Sequence, residues 1–289
     1  MQEDAPLEPG SCVNASGDHA ERSRDQARQW KKERKLQAQR KAEAGKQTDK
    51  EPSGKPKSAR AIDPYVQLSK ALAYLLRHGA EKEHLDVRDD GYIRADTVLL
   101  RPKIHKVLIP LQDGMRAPGL EDVRAIVDGN DKKRFELASG SETGPGEGPY
   151  TWIRAVQGHS LRQVTELDHT PLTLDNVDKY LACMDEMYYA IHGTDTDAWD
   201  AIQESGALRR MTRNHIHLAR GLPGASGVIS GMRKSCTRLL YVNVSAAMRD
   251  GIPFVVSSNG VILTPGQRGE LPLAYVTQVH DEKGSGVWP

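Results

Sequence analysis

The sequence predicts an α+β protein in which two folded halves of different character follow a basic tail. Three observations support this. Residues 1–60 contain few aliphatic side chains, whereas apolar residues at helical spacing begin just after residue 63. The second half of the chain instead carries short apolar runs that are typical of β-strands. A length of 289 residues leaves room for one to two domains of ordinary size.

The tail, residues 1–60, is positively charged and poor in apolar residues. Between residues 21 and 60, 14 Lys and Arg face 6 Asp and Glu. Such a segment buries too little apolar surface to offset the entropy of ordering, so we expect it to be disordered. Its charge is consistent with a solubilising tail, with an arm that seeks the phosphates of nucleic acid, or with a nuclear address. Composition alone leaves these alternatives open.

The sequence also limits the cellular setting. No run approaches the ~18 apolar residues that a membrane helix needs, and the N-terminal residues lack the pattern of a secretory signal. The three cysteines, Cys12, Cys183 and Cys236, form no close pairs, which favours a reducing compartment over a disulfide framework. We therefore expect an intracellular protein, cytoplasmic or nuclear, that is not secreted and has no membrane partner.

The first folded segment, residues 61–167, has the element order of a winged helix. Asp63 and Pro64 suit the N-cap and the first turn of a helix whose apolar positions continue to Arg77, and Gly79 ends it. A short strand, a second helix that Pro102 stops, a third helix and two wing strands follow. Their predicted bounds are residues 92–93, 95–100, 120–127, 134–137 and 150–155.

The wing and the second half complete the predicted architecture. The segment between the wing strands, residues 139–149, is rich in Gly, Ser, Glu and Pro and predicts a flexible tip. A linker is expected at residues 167–173, followed by a mostly β lobe at residues 174–282. Its strands are predicted at residues 188–192, 215–219, 238–244, 253–257, 261–263 and 275–279, with a helix at residues 198–205.

Several polar side chains stand next to apolar elements. Arg77 and His78 end the first helix, where cations also serve as simple C-terminal caps. The turn after the second wing strand offers donors that suit a phosphate, although a solvated loop is an alternative. These donors are Arg154, Gln157, His159 and Ser160.

Two histidine motifs lie in the second half. His192 precedes Gly193 and Thr194, and His215 and His217 lie on one face of a strand because strand side chains alternate. Metal binding is disfavoured, since no cysteine or carboxylate accompanies the histidine pair. The glycine fingerprint of dinucleotide-binding folds and the P-loop pattern are both absent.

Taken in order, these motifs resemble the RNA 2'-phosphotransferase family, the NAD-dependent tRNA 2'-phosphotransferases of the splicing pathway. The resemblance covers about residues 62–279 and departs at Val156, where the family usually has Asn, in the long wing tip and in the basic tail. The matching pieces are Leu68-Ser69-Lys70, Leu75-Leu76-Arg77-His78-Gly79, Asp90-Gly91-Tyr92, Lys133-Arg134-Phe135, Ile153-Arg154-Ala155-Val156-Gln157-Gly158-His159-Ser160, His192-Gly193-Thr194, His215-Ile216-His217-Leu218, residues 227–233 and residues 259–266.

The resemblance implies a winged-helix RNA-binding lobe followed by an ADP-ribosyltransferase-like lobe that binds NAD. It also implies the reaction. The 2'-phosphate left at the splice junction of ligated tRNA attacks the anomeric carbon of the nicotinamide ribose and expels nicotinamide. In the resulting 2'-phospho-ADP-ribosylated RNA, the 2''-hydroxyl attacks the phosphorus. The products are RNA with a 2'-hydroxyl and ADP-ribose 1'',2''-cyclic phosphate.

The resemblance also implies roles for individual residues. Arg77, Arg154 and Arg233 are expected to bind the 2'-phosphate, and His78 to hydrogen-bond or transfer a proton in the second step. His192, Gly193 and Thr194 are expected to receive the nicotinamide riboside end of NAD. The remaining expected ligands are His217 and Gly227 for NAD, and Gln157, His159 and Ser160 for RNA.

Neither a metal nor a second subunit is expected, because the arginines neutralise charge that a cation would otherwise balance and the family suggests a monomer. Two alternatives remain. One is an ADP-ribosyltransferase that caps a terminal phosphate of nucleic acid, or modifies protein, and stops after the first step. The other is a non-catalytic RNA-binding module.

Overall fold

The structure is a computed structural model that describes residues 63–222, 228, 232–233 and 235–288. The predicted tail, residues 1–60, and Gly227 lie outside these residues. All of the elements below belong to one compact unit, Ala61–Pro289. In the described part of the chain, no helix is both long and apolar enough to cross a membrane.

The first half packs short helices around an antiparallel sheet of order β1-β5-β4, and a separate hairpin joins β2 to β3. Leu68, Leu72 and Leu76 of the first helical segment are fully buried in its apolar core. In chain order the elements are α1 (Pro64–Tyr74), a π-helical turn (Leu75–Gly79), β1 (Ile93–Arg94), α2 (Ala95–Leu99), α3 (Pro102–His105), β2 (Ile109–Leu111), β3 (Gly114–Arg116), α4 (Leu120–Asp128), β4 (Phe135–Gly140) and β5 (Tyr150–Ala155).

The start of α1 confirms the prediction, because the Asp63 side chain accepts a hydrogen bond from the Tyr65 amide at 2.8 Å and Pro64 occupies the first turn. Its end differs. The α-helix stops at Tyr74, and the last turn, Leu75–Gly79, is a π-helix. A Cβ on Gly79 would collide with the Tyr74 ring, so this wider turn requires glycine. Single π-helical turns are frequently found at functional sites.

Other predictions for this half need correction. Pro102 does not stop a helix but begins α3, since proline is well suited to a first helical turn. The β2–β3 hairpin was not predicted. The tip at residues 139–149 is anchored rather than free: the Trp152 indole donates to the Ser141 carbonyl at 3.1 Å, and Arg88 donates to the Thr143 carbonyl at 2.8 Å.

The second half is mostly β, as predicted. Its main sheets have the strand orders β16-β15-β11-β8-β7 and β10-β13-β12-β6, and β14 pairs with β9. In chain order the elements are β6 (Thr170–Leu172), a 3-10 turn (Val177–Lys179), β7 (Cys183–Met184), β8 (Met187–Thr194), α5 (Thr196–Ser205), β9 (Ala207–Arg209), β10 (Ile216–Leu218), β11 (Arg238–Asn243), α6 (Val244–Arg249), β12 (Phe254–Val256), β13 (Ile262–Thr264), β14 (Glu270–Pro272), a 3-10 turn (Leu273–Tyr275), β15 (Val276–Asp281) and β16 (Gly286–Trp288).

The segment expected to be an irregular linker, residues 167–173, contains β6, which pairs with β12 through Phe254 and Leu172. Pro171 is tolerated there because β6 is the edge strand of its sheet, where a missing N–H breaks no ladder. The second half also contains α6 and several short strands that were not predicted. The coarse α+β class is nevertheless confirmed, with one apolar core in each half.

Candidate functional site

The turn at residues 156–160 joins three parts of the first half. The Val156 amide donates to the Arg134 carbonyl at 3.0 Å, and the Ser160 amide donates to the Arg77 carbonyl at 2.9 Å. Gly158 between them has a φ of +89°, a conformation that glycine adopts without strain. A Cβ at this position would lie 3.6 Å from the Arg77 side chain. The turn therefore binds the backbone of both Arg77 and Arg134, and so brings these two arginines close to each other.

Arg77 is the most unusual cation of this region. Its Nε and Nη2 atoms are buried, and neither has a hydrogen-bond partner in the described structure. Burial, together with repulsion from Arg213 and Arg134, lowers the pKa of Arg77 to about 10. Buried guanidinium groups are almost always paired. A buried arginine with free donors and cationic neighbours indicates a binding site for an anion.

Three more arginines are linked to this position by charge repulsion, Arg134 and Arg213 directly and Arg233 through Arg213. Burial lowers the pKa of Arg134, and burial with repulsion from Arg233 lowers that of Arg213. Arg134 is oriented by a 3.2 Å hydrogen bond to Asn130, while Arg233 is exposed. Among the described ion pairs, none involves these residues. We call Arg77, Arg134, Arg213 and Arg233 the arginine cluster.

His78 lies beside the cluster. Its Nδ1 is 2.9 Å from the Oγ of Ser160, which is itself 3.4 Å from the Arg77 carbonyl. A carbonyl can only accept, so when the serine hydroxyl donates to it, Nδ1–H of His78 donates to Oγ and Nε2 keeps a free lone pair. Burial and repulsion from Arg213 lower the pKa of His78, which is therefore neutral at pH 7.

Arg154 lies in different surroundings from those expected for a phosphate ligand. It is 4% exposed and donates to Glu136 at 2.9 and 3.0 Å and to Asp168 at 2.6 Å. Its guanidinium also lies 4.4 Å from the Tyr92 ring centroid. Two carboxylates already balance its charge, so Arg154 is paired in this structure, and its expected contact with the 2'-phosphate stays a prediction.

The residues expected to contact RNA are mostly buried. Gln157 is 7% exposed and His159 is 2% exposed, so neither presents a surface to a polynucleotide. Both His159 nitrogens lack partners, and burial with repulsion from Arg77 lowers its pKa to about 3. Ser160 is hydrogen-bonded to His78, as described above. The structure thus buries Gln157 and His159 and leaves Ser160 half-buried beside His78, and their expected contact with RNA stays a prediction.

The histidines of the second half form a connected set. His192 Nδ1 is 2.9 Å from the His217 carbonyl, which requires Nδ1 to carry the proton. His217 Nε2 is 2.7 Å from Gln157 Oε1, so the second half is linked to the turn of the first. Burial lowers the pKa of His192 and, reinforced by Arg213, that of His217 to about 3. Both rings are neutral at pH 7.

Gly193 lies where another segment passes close to β8. A Cβ there would lie 2.8 Å from the Met232 side chain and 3.0 Å from Cys236 Sγ. The Thr237 amide also donates to the Thr194 carbonyl at 2.9 Å. The absence of a side chain at Gly193 thus allows the segment that carries Arg233 to approach His192. Gly227, the other glycine predicted for this site, lies outside the described residues.

Sequence reasoning missed two members of the cluster. Arg134 lies in the Lys133-Arg134-Phe135 piece of the resemblance, but no role was assigned to it. Arg213 comes two residues before His215, and nothing in the local sequence separates it from other exposed arginines. Within the described ranges, no group of three or more His, Cys, Asp or Glu side chains is arranged to bind a metal.

Comparison with known proteins agrees with the resemblance. A Homo sapiens protein named tRNA 2'-phosphotransferase 1 is 44% identical over 207 residues, 72% of this chain and 72% of that protein. The Danio rerio protein of the same name is 41% identical over 201 residues, 70% of this chain and 78% of that protein. A Schizosaccharomyces pombe relative is 40% identical over 234 residues, which span 80% of this chain but 56% of the relative.

Residues 63–266 match the protein family described as RNA 2'-phosphotransferase, Tpt1 / KptA family, and this range contains the arginine cluster and both histidine motifs. The family predicted from the order of the motifs is therefore confirmed. The chain belongs to the RNA 2'-phosphotransferase, Tpt1 / KptA family.

Proposed function

We propose that this chain removes the splice-junction 2'-phosphate from ligated tRNA by transferring it to NAD. Membership of the family makes it a transferase that acts on RNA 2'-phosphates, and its relatives are named as tRNA 2'-phosphotransferases. The products are nicotinamide, ADP-ribose 1'',2''-cyclic phosphate and RNA with a free 2'-hydroxyl. Spliced tRNA and NAD are the substrates in this proposal.

The observation that carries the proposal is the unpartnered guanidinium of Arg77. A 2'-phosphate would accept hydrogen bonds from its free Nε and Nη2 atoms and would balance the repulsion among the cluster. Arginine suits this task because its planar fork matches phosphate oxygens and stays charged. We assign phosphate binding to Arg77, Arg134, Arg213 and Arg233, with Arg134 in the place first expected for Arg154.

The arginine cluster also supports the chemistry. A phosphate dianion is a competent nucleophile at neutral pH, so the first step depends mainly on positioning. The second step develops negative charge on the phosphoryl oxygens, which preorganised cations stabilise. His78 keeps Nε2 free while Ser160 holds Nδ1. We assign to His78 Nε2 the proton that leaves the attacking hydroxyl in that step.

The residues around β8 fit an NAD-binding role. His192 has its Nδ1 fixed by the His217 carbonyl, which leaves Nε2 free to accept a hydrogen bond from a ribose hydroxyl. The His217 ring is itself fixed by its hydrogen bond to Gln157. Gly193 leaves the end of β8 without a side chain. We propose that His192, Gly193, Thr194 and His217 bind NAD, which supplies the electrophilic ribose carbon and the nicotinamide leaving group.

The finer architecture belongs to this proposal as well. The helix, strand, three further helices and paired strands β4 and β5 of residues 64–155 support a winged-helix RNA-binding lobe. The two β-sheets of residues 174–282 support an ADP-ribosyltransferase-like lobe. Asn259 Nδ2 donates to the Lys132 carbonyl at 3.0 Å, and this contact joins the two segments. We propose a monomer, as the family resemblance suggests.

The test is to incubate the purified protein with an RNA that carries one internal 2'-phosphate, with or without NAD, in the presence of EDTA. Phosphate loss only with NAD, together with nicotinamide and a cyclic ADP-ribose phosphate, is the expected result. RNA that keeps its phosphate and gains ADP-ribose would indicate the capping alternative. Binding of RNA without NAD consumption would indicate a non-catalytic module. An RNA with a terminal phosphate serves as the comparison substrate.

A further inference from the structure

A second basic concavity includes residues of the loop that carries Arg213 of the arginine cluster. It has a volume of about 330 Å³ and is lined by Arg162, Val164, Thr165, Arg210, Asn214 and His215. Its walls come from both halves of the structure: one is the segment that follows Ser160, and the other is the loop between β9 and β10. No acidic residue lines it. We call it the flanking pocket.

The two walls are fixed to each other through Asn214. Its backbone amide donates to the His159 carbonyl at 2.8 Å, and its side-chain amide donates to the Leu161 carbonyl at 3.1 Å and the Val164 carbonyl at 3.4 Å. Asn214 therefore makes three hydrogen bonds to backbone carbonyls across the junction, one from its backbone amide and two from its side chain. The pocket is thus a preorganised feature rather than a gap between loosely packed loops.

The cations of the pocket are oriented but not neutralised. Arg210 donates from Nη1 to the Arg213 carbonyl at 2.8 Å, and its own amide donates to the Gly269 carbonyl at 3.0 Å. Arg162 is exposed. Across residues 63–222 and 235–288, no carboxylate lies within ion-pair distance of Arg162 or Arg210. The pocket therefore keeps its positive charge for an external anion.

His215 provides an aromatic surface on the same wall. Its ring meets the His169 ring edge-to-face at 5.9 Å. Burial and repulsion from His169 and Arg210 lower its pKa to about 4, so the ring is neutral at pH 7. Neutral histidine rings and arginine planes both stack on unpaired bases in RNA-binding sites. The pocket thus combines phosphate donors with a stacking surface.

One short loop connects this pocket to the arginine cluster. Arg210 lines the pocket, whereas Arg213, three residues later, repels Arg233 and Arg77 in the cluster. A ligand that spans both must carry negative charges in series. We propose that the flanking pocket binds the backbone phosphodiester of the RNA nucleotide next to the one that carries the 2'-phosphate.

This inference rests on the proposed function and adds a binding site for the substrate strand. The other source of the same chemistry is the pyrophosphate of NAD. The pocket favours RNA because one of its walls, residues 161–165, belongs to the first half, whereas every residue assigned to NAD belongs to the second half. It also explains how an enzyme with few exposed residues in the turn at 156–160 holds a polynucleotide.

The experiment compares Arg162→Ala, Arg210→Ala and the double variant with the native chain. Two substrates are used, an RNA oligonucleotide with an internal 2'-phosphate and a minimal 2'-phosphorylated mononucleotide that lacks flanking phosphodiesters. For the oligonucleotide, each single variant should raise KM by about threefold to tenfold, as expected for a charge-assisted contact at an exposed site. KM for the mononucleotide and for NAD should not change.

Salt dependence provides a second measurement. The slope of log affinity against log salt is negative, and for the oligonucleotide its magnitude should fall by about 0.7 for each arginine removed. Arg249→Ala, at the exposed end of α6, is the matched control and should leave both KM and the slope unchanged. Arg210 also donates to the Arg213 carbonyl, so Arg210→Ala could disturb the loop itself. Arg210→Lys, which keeps the charge, and Arg162→Ala, which lies outside this loop, separate that effect from loss of a phosphate contact.

A higher KM for NAD would overturn the inference and assign the pocket to the pyrophosphate. Equal KM changes for oligonucleotide and mononucleotide, or none at all, would overturn it as well. Failure of the proposed function gives a different result from failure of this inference. In that case the native chain would transfer the 2'-phosphate of neither substrate to NAD.

Discussion

His78 Nδ1 lies 2.9 Å from the Oγ of Ser160, a residue 82 positions further along the chain. This contact joins the π-helical turn after α1 to the turn after β5. It also fixes the imidazole ring beside the arginine cluster. Four predictions follow from this arrangement and from the charges around it.

Substitution Ser160→Ala should lower kcat by about tenfold, since a hydrogen bond of about 1–1.5 kcal/mol orients the catalytic ring. KM for RNA should change little, because Ser160 itself lies behind the cluster. Steady-state kinetics with a 2'-phosphorylated RNA provides the measurement. Ser205→Ala, which removes a hydroxyl that contacts only the Ile202 and Ala207 carbonyls, serves as the control. A larger effect on KM than on kcat would contradict a positioning role.

Arg134 and Arg154 should behave as opposites. Arg134→Ala should lower kcat by about 100-fold or more, as for loss of one preorganised charge at a reacting phosphate, and leave stability nearly unchanged. Arg154→Ala should instead lower the free energy of unfolding by about 2 kcal/mol, because Glu136 and Asp168 lose their buried partner. Urea denaturation measures the free energy of unfolding of both variants, and steady-state kinetics measures their kcat. A stable Arg154 variant without activity would restore its role as a phosphate ligand.

Replacing Arg77 should separate stability from activity. Arg77→Met removes a buried cation that has no partner and is repelled by Arg134 and Arg213. The variant should therefore be inactive but more stable, by about 1–2 kcal/mol, in the absence of ligands. Inorganic phosphate should raise the Tm of the native chain more than that of the variant. A less stable variant would show that Arg77 contributes to the fold rather than to anion binding.

The buried histidines make the fold sensitive to acid. The pKa of His159 falls to about 3 and that of His217 to about 3 in the folded state, from 6.5. The unfolded chain therefore binds protons that the folded chain does not, and stability falls as the pH drops from about 6.5 toward 3. His159→Gln should reduce this loss by about 1–2 kcal/mol at pH 5. Urea unfolding at several pH values measures it, and an unchanged pH dependence would contradict the assignment.

Several local elements and the family were predictable from the residues alone. The N-cap at Asp63 and the placing of His215 and His217 on one strand face are local signals, which depend on residues close together in the chain. For the same reason, residues 120–128 and 150–155 were predicted nearly to their observed bounds. The histidine and arginine motifs were recognised because their residue types and order are visible without a fold.

Which arginines are paired with carboxylates depends on the tertiary structure. Arg154 and Arg134 both lie near the turn at residues 156–160, but Glu136 and Asp168 neutralise the first and leave the second facing Arg77. Ion pairing and desolvation depend on distances between residues far apart in the sequence, and local patterns carry no information about them. The same holds for Arg213 and for the flanking pocket, whose walls meet only because Asn214 joins two distant segments.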